Sequence, residues 1–353
     1  MISGVYYANW TVYSGCEPID LPYTKLTHLY YAFFNIDPVN GCVVHSDQYA
    51  DLEKPIRDPL DPLNQVSGVI KQCRALKKLN PDLKLIMSVG GYAQGGNFNS
   101  LIDQGLCKLD KFVDSIVEKA DSLGFDGVDV DYEFPDTLGR MRGFSDLLGK
   151  LRVKSDKLLI TTAVPVSNEF LDRLIPEIYL SVDLWNVMCY DFVGEWSPTT
   201  GYHSNVYSRD RNNPNEYSTW NALTNYINKG IEPEKLVVGM PLYGRVFRGC
   251  HIPKIGVPFN NGQHNPGTIG EPICNYHQLP LGKEYKAMDV GGCFCYQAEL
   301  QQLITYDTVE IVLMKVEIIR LLGLGGGFFW EASGDSKDHQ LSLIHAFVSA
   351  IKR

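Results

Sequence analysis

Four carboxylic acids stand at fixed offsets in residues 126–133, Asp-Gly-Val-Asp-Val-Asp-Tyr-Glu. In an extended strand side chains alternate between faces, so Asp129, Asp131 and Glu133 share one side while Val128, Val130 and Tyr132 take the other. Carboxyls this close in a partly desolvated place cannot all ionise near neutral pH; protons are shared and at least one pKa rises. The row reads as a catalytic strand. Asp126 is out of phase with it and reads as a structural residue at the strand entrance. A solvent-facing acidic edge strand and a calcium loop are the competing readings. An EF-hand spreads oxygen ligands over twelve residues around a sharp glycine turn, whereas the intervening residues here are the strand formers Val, Val and Tyr. Four acids at these offsets arise by chance in a chain of this composition roughly one time in twenty, so the surrounding elements must carry part of the argument.

Those elements alternate. Short apolar stretches at 4–8, 29–35, 84–89, 127–132, 158–163, 184–189, 236–240 and 326–330 read as eight strands. Between them, residues 63–79, 108–123, 141–154, 168–175, 219–228, 308–322 and 341–351 repeat apolar positions at three and four, the helical spacing. Near-continuous apolar strands separated by helices imply a parallel α/β sheet, and eight repeats point to a closed (β/α)8 TIM barrel. The alternative, an open doubly wound sheet binding a nucleotide, lacks support because no strand runs into GxGxxG or GxxxxGK[ST]. Gly325-Gly326-Gly327 is followed by Phe-Phe-Trp, which fits close backbone packing within a strand. The rhythm lapses only between about 245 and 306, a stretch rich in Gly, Pro and Asn. We expect a catalytic barrel of residues 1–244 and 307–353 carrying a small α+β insertion at 245–306, since barrel loops at the C-terminal ends of strands collect insertions and function.

The same ends of the expected strands collect aromatic and polar residues: Trp10, Phe33 and Asn35, Ser88 to Tyr92, Glu133, Met188 to Asp191, Met240 to Arg245, and Trp330. Apolar ring faces beside carboxylates and hydroxyls suit a sugar site. Net charge of -9 over 353 residues leaves no footprint for nucleic acid or an anionic membrane, and the expected partner is neutral or cationic. No apolar run approaches the roughly 18 residues that span a bilayer, and the first residues lack a basic segment and a long apolar one. A cytoplasmic protein is expected, or a secreted one if the sequence begins after a removed leader. Nine scattered cysteines without a CxxC pair argue against zinc and favour reduced thiols. No metal or cofactor is called for. The sequon at Asn9 lies at the end of an apolar strand, where a glycan has little room.

The segment from Asp126 to Pro135 resembles the DxxDxDxE signature of family 18 glycoside hydrolases, the chitinases, and Ser88-Val-Gly-Gly91 resembles their SxGG signature. Met188-Cys-Tyr190-Asp191, Pro241-Leu-Tyr243-Gly-Arg245-Val-Phe, and Leu303-Ile-Thr-Tyr306-Asp307-Thr leading to Gly325-Gly-Gly-Phe-Phe-Trp330-Glu are similar to later landmarks of that family, in order. The resemblance covers essentially the whole chain and is closest to the bacterial-type class V chitinases of fungi. It implies a monomeric enzyme hydrolysing chitin or chito-oligosaccharides with retention, the substrate's acetamido carbonyl attacking C1. In it Glu133 is the general acid, Asp131 orients the acetamido group and Asp129 tunes the proton count. Tyr190 and Asp191 would grip the sugar at the cleavage subsite, above a floor formed by Trp330. Trp10, Phe33, Gly91, Tyr92, Met188, Tyr243, Arg245 and Glu271 would contact substrate, with Tyr6 and Ser88 hydrogen-bonding the inner acids. Packing for Met188 and a solvated charge for Arg245 are the plainer readings. Many relatives carry Trp where this chain has Tyr92 and Tyr132; the smaller ring at 92 should hold a product-side sugar less firmly. With no binding module or Ser/Thr-rich linker, soluble or nascent oligomers are expected over crystalline chitin. The alternatives are a chitin-binding lectin and an endo-β-N-acetylglucosaminidase. Known lectin-like relatives usually lose the terminal acid, which this chain keeps.

Overall fold

The structure is a computed structural model that describes residues 1–260 and 272–351. Eight parallel strands close into a ring: β1 (Ile2–Ala8), β2 (His28–Asp37), β3 (Lys84–Gly90), β4 (Gly127–Asp131), β5 (Leu159–Val164), β6 (Leu184–Val187), β7 (Leu236–Pro241) and β8 (Gly326–Trp330). Each pairs with its sequence neighbour, and β8 pairs with β1 through Ile2↔Gly326 to Val5↔Phe329, which leaves the ring without an open edge. Almost every residue of these strands is buried, because one face meets the helices and the other fills the barrel. This explains their near-continuous apolar sequence. Inside the barrel Tyr6, Tyr30, Ile86, Val237 and Phe328 pack together, and Tyr6 stacks on Tyr30 at 4.5 Å between ring centroids.

Among the described residues eight α-helices, α1 (Val69–Leu79), α2 (Gly95–Asp103), α3 (Leu106–Leu123), α4 (Leu138–Lys154), α5 (Asn168–Arg173), α6 (Thr219–Asn228), α7 (Val309–Leu322) and α8 (Leu343–Ala350), surround it. Side-chain caps set several starts: Thr137 accepts from Arg140 N at the head of α4, Ser218 from Asn221 N at α6 and Ser342 from His345 N at α8. The helix expected at 63–79 starts only at Val69. Residues Gln65–Ser67 instead pair antiparallel with Pro55–Arg57, and Gly68 turns the chain at φ +83°, where a Cβ would lie 2.3 Å from the Asp51 carbonyl oxygen. The strand expected at 184–189 ends at Val187, and α2 was not expected at all, since it opens on Gly-Gly-Asn.

A second, antiparallel sheet lies between β7 and α7, in the order Ile273–Asn275, Tyr243–Phe247, Gln302–Tyr306, Gly292–Gln297, Tyr285–Ala287. Its strand Tyr243–Phe247 follows β7 after a single residue, so β7 delivers Tyr243 and Arg245 to the C-terminal rim of the barrel. Just past Tyr306 the sheet hands the chain to α7, and Asp307 and Lys315 form a fully buried ion pair at 2.5 Å. Among the described residues no helix is long and apolar enough to cross a membrane.

Candidate active site

The acids of β4 descend into the barrel mouth. Asp129 is fully buried and accepts three hydrogen bonds: Tyr6 Oη at 2.9 Å and Ser88 Oγ at 2.7 Å to Oδ2, and Thr161 Oγ1 at 2.7 Å to Oδ1. Asn186 Nδ2 donates in turn to Tyr6 Oη at 2.9 Å, which fixes the tyrosine proton towards Asp129. Burial raises the Asp129 pKa although all three donors oppose it. Asp131 is 4% exposed, and its Oδ1 has no hydrogen-bond partner among the described residues. Burial, then the charges of Glu133 and Asp129, push its pKa well above the usual carboxylate range. A carboxyl in this state holds a proton, and its unpaired oxygen is free to meet a ligand.

Strand β4 ends at Asp131, so Glu133 lies beyond the regular ladder, half-buried at the cavity wall. Its pKa is pushed up to about 7, first by burial and then by the charge of Asp191, against the backbone N–H of Tyr92. An acid with a pKa near 7 carries its proton at the pH where a leaving group needs it. Asp191, just past β6, has φ +59°. Arg245 grips it bidentately, Nε to Oδ1 at 2.7 Å and Nη2 to Oδ2 at 2.6 Å, and Tyr243 Oη donates to Oδ1 at 2.8 Å. Burial alone would raise its pKa, yet the Arg245 guanidinium with its two hydrogen bonds, and the imidazole of His203 nearby, hold it well below the usual range. Asp191 is therefore a fixed anion beside a protonated Glu133. Arg245, which reads from sequence as a solvated charge or a sugar contact, is only 8% exposed and serves first as the partner of Asp191.

These groups open into a cavity of about 870 Å³. Tyr6, Trp10, Phe33, Gly91, Tyr92, Asp131, Glu133, Met188, Tyr190, Asp191, Tyr243, Arg245 and Trp330 all line it. Trp330 stacks on Phe33 at 5.5 Å and meets Tyr6 edge-on at 5.6 Å, forming an apolar floor. Gly91, at φ +86°, lets the Phe33 ring approach to where a Cβ would be 2.7 Å away. Trp10 is about half exposed and Tyr92 is 86% exposed, so both rings stand at the rim. Asp129 and Ser88 lie beneath the floor. Asp126 lies at the opposite end of β4, where it pairs with Lys77 at 2.6 Å and accepts from Leu85 N at 2.7 Å. Tyr132 faces the helices, packed on Phe98 at 4.6 Å and donating to Asn99. Glu271 lies outside the described residues. The described residues offer no cluster of three or more metal-ligating side chains.

Sequence reasoning missed Thr161 and Asn186, which sit on the inner faces of β5 and β6 and whose only signal was a polar residue in phase with the barrel interior. It also missed Trp196 and Tyr217, which line the cavity from the loop after β6; Trp196 carries the Arg245 guanidinium over its ring at 4.8 Å. A second depression of about 920 Å³ between α3 and α4, lined by Asp110, Ser145 and Lys150, contains none of these acids.

The family model for glycosyl hydrolases family 18 matches residues 3–335. Chitinase 1 of Aphanocladium album is 33% identical over 364 residues, spanning 97% of this chain and 84% of that protein. Sporulation-specific chitinase 2 of Saccharomyces cerevisiae is 34% identical over 402 residues, spanning 98% and 77%. Among solved structures, the catalytic domain of chitinase B from Arthrobacter TAD20 superposes with a TM-score of 0.89 at 25% identity, covering 99% of this chain and 95% of that one. The closed parallel ring, the acids ascending β4 and these matches along the whole chain place the protein in glycosyl hydrolases family 18, as a glycoside hydrolase.

Proposed function

We propose that this glycoside hydrolase is a chitinase, cleaving β-1,4-linked N-acetylglucosamine chains with retention by substrate-assisted catalysis. The observation that carries the reading is that the buried Asp131, its Oδ1 unpaired, and Glu133 line the same cavity, burial pushing the pKa of both carboxyls up. Glu133 donates its proton to the glycosidic oxygen as the C1–O bond breaks, and the sugar's acetamido oxygen bonds to C1, giving an oxazolinium ion. Asp131, its Oδ1 unpaired, accepts the acetamido N–H and stabilises the developing positive charge. Asp129, which accepts from Tyr6, Ser88 and Thr161 and keeps one acceptor site of its carboxylate open, takes up the proton that Asp131 releases. Water then adds to C1 from the face that the leaving group vacated, opposite the acetamido oxygen, whose bond to C1 breaks. Its proton passes to the Glu133 carboxylate and the product is the β-anomer. Family 18 is among the exceptions to the two-carboxylate scheme. In keeping with that, Asp191 is committed to Arg245 and Tyr243 and serves as a grip and a charge, with Tyr190 beside it, while Trp330 and Phe33 take the apolar face of the distorted sugar. Trp10, Tyr92, Met188 and Tyr243 extend the chain of sugar contacts.

The test is incubation with chitotetraose, following products and the anomer formed first by NMR. Hydrolysis with initial β-anomer is expected. Binding without turnover would establish a lectin instead, and release of glycans from an N-glycoprotein without action on chitotetraose would establish an endo-β-N-acetylglucosaminidase.

A further inference from the structure

Asp191 adopts a left-handed backbone conformation, φ +59°, which is uncommon outside glycine although Asp adopts it more readily than most, so contacts that enforce it matter. Arg245 and Tyr243 supply part of that enforcement. A third group completes it from the buried side. His203 is fully buried, and its Nδ1 lies 3.6 Å from Asp191 Oδ1, an ion-pair separation longer than a hydrogen bond. Its ring packs on Tyr243 with 5.3 Å between centroids, the same tyrosine that donates to Asp191. Its carbonyl oxygen accepts from Phe192 N at 3.0 Å, tying residue 203 to the residue that follows Asp191. Neither ring nitrogen has a hydrogen-bond partner among the described residues. A buried imidazole left unpaired is costly, and a hydrophobic residue of similar size would avoid that cost.

We propose that His203 is a positioning residue for the hydrolytic reaction: its imidazole braces Asp191 from beneath the cleft, and its protonation state sets how firmly Asp191 is held. The proposal rests on the reading of Asp191 as the anion beside the general acid. The charged and titratable groups facing His203 are Asp191, Tyr243 and Arg245 on the cleft side and Asp307 on the other. Asp307 is occupied by Lys315 at 2.5 Å and by Ser204 Oγ at 2.7 Å, and Asp191 by Arg245. Burial holds His203 below the ordinary imidazole range, with the two carboxylates opposing. It is therefore neutral while Glu133 still carries its proton. On acidification the ring gains a proton, and Nδ1 closes on Asp191 Oδ1 in competition with Tyr243 and Arg245 for that oxygen. Activity then falls on the acid side.

The experiment compares His203→Gln and His203→Leu with the wild type in chitotetraose hydrolysis across pH, alongside thermal melting. The glutamine can hydrogen-bond but not titrate, whereas the leucine only packs. His203→Leu is expected to lose about tenfold in kcat with KM changed less than about threefold, a signature of impaired catalysis without impaired binding. His203→Gln is expected to keep most of kcat at neutral pH while its acid limb shifts down by about half a pH unit or more. A second readout is independent of turnover: the imidazole NMR signal absent from His203→Gln is followed against pH in the wild type and in Asp191→Asn. Its midpoint is expected below the ordinary histidine range and lower still in Asp191→Asn. Wild-type pH profiles in both variants, or an identical midpoint with and without the Asp191 charge, would overturn the proposal. A wild type that hydrolyses no chitin oligomer would refute the substrate assignment, and the NMR comparison would still decide the role of His203.

Discussion

Replacing Asp191 with asparagine should move the pH at which the enzyme fails in base. Glu133 sits at about 7 against an ordinary 4.5, a rise of about 2.5 units, with burial the larger cause and the Asp191 charge the second. At pH 6 an acid of pKa 7 is about 90% protonated and one of pKa 4.5 about 3%, so the rise is worth roughly 30-fold in competent enzyme. A unit charge roughly 8–16 Å away at an effective dielectric near 20 contributes about 1–2 kcal/mol, which is about one pH unit. Asparagine keeps the size and an oxygen for Tyr243 and Arg245. Arg245, its side chain only 10% exposed, loses its counter-charge, and its uncompensated positive charge draws the Glu133 pKa down in the same direction. The alkaline midpoint of kcat/KM should therefore fall from about 7 to about 6, read from initial rates on a fluorogenic chitobioside between roughly pH 4 and 9. Melting curves at each pH separate this from unfolding, since an unpaired buried guanidinium also costs stability. An alkaline midpoint unmoved by the substitution would refute the electrostatic link between the two acids. A wild-type midpoint near 4.5 would refute the raised Glu133 itself.

Other outcomes follow from the same geometry. Because the folded-state pKa of Asp131 is raised, its contribution to stability is fully present below the unfolded-state pKa and is lost as pH rises through the folded one. Asp131→Asn should thus melt about 1–3 °C above the wild type at pH 8, with the gap closing near pH 4, while hydrolysis is lost; a less stable variant at pH 8 would count against the buried acid. Asp126→Ala removes the Lys77 pair and the acceptor of Leu85 N. It should cost about 1–2 kcal/mol in denaturant unfolding and leave kcat unchanged, and a loss of kcat in folded protein would return Asp126 to the chemistry. Tyr92→Ala, at an 86% exposed site, should raise KM for chitohexaose by about three- to tenfold without shifting the melting point; an unchanged KM would remove Tyr92 from the sugar track.

The ring of strands was legible because each is buried on both faces, so its sequence carries an unbroken apolar run, and the helices between them show helical periodicity. Boundaries failed where tertiary contacts overrule that pattern. Residues 65–67 look helical but pair with 55–57, and α2 begins on residues with poor helix propensity. The acids of β4 were legible because alternation places Asp129 and Asp131 on one face. Their supports were not, because Thr161, Asn186 and His203 come from distant strands and loops, and no local spacing reports which side chains meet inside a barrel. Arg245 shows the same limit: only the fold reveals that Asp191, 54 residues earlier, is its partner.

The central claim is that Glu133 delivers the proton to the leaving group, and hydrolysis of chitotetraose by wild type and Glu133→Gln in parallel tests it most directly. The glutamine keeps the shape of the site and removes the transferable proton. The account expects β-anomer from the wild type and a kcat lower by roughly two to four orders of magnitude in the variant, with chitotetraose still bound. Equal rates for the two folded proteins would contradict it.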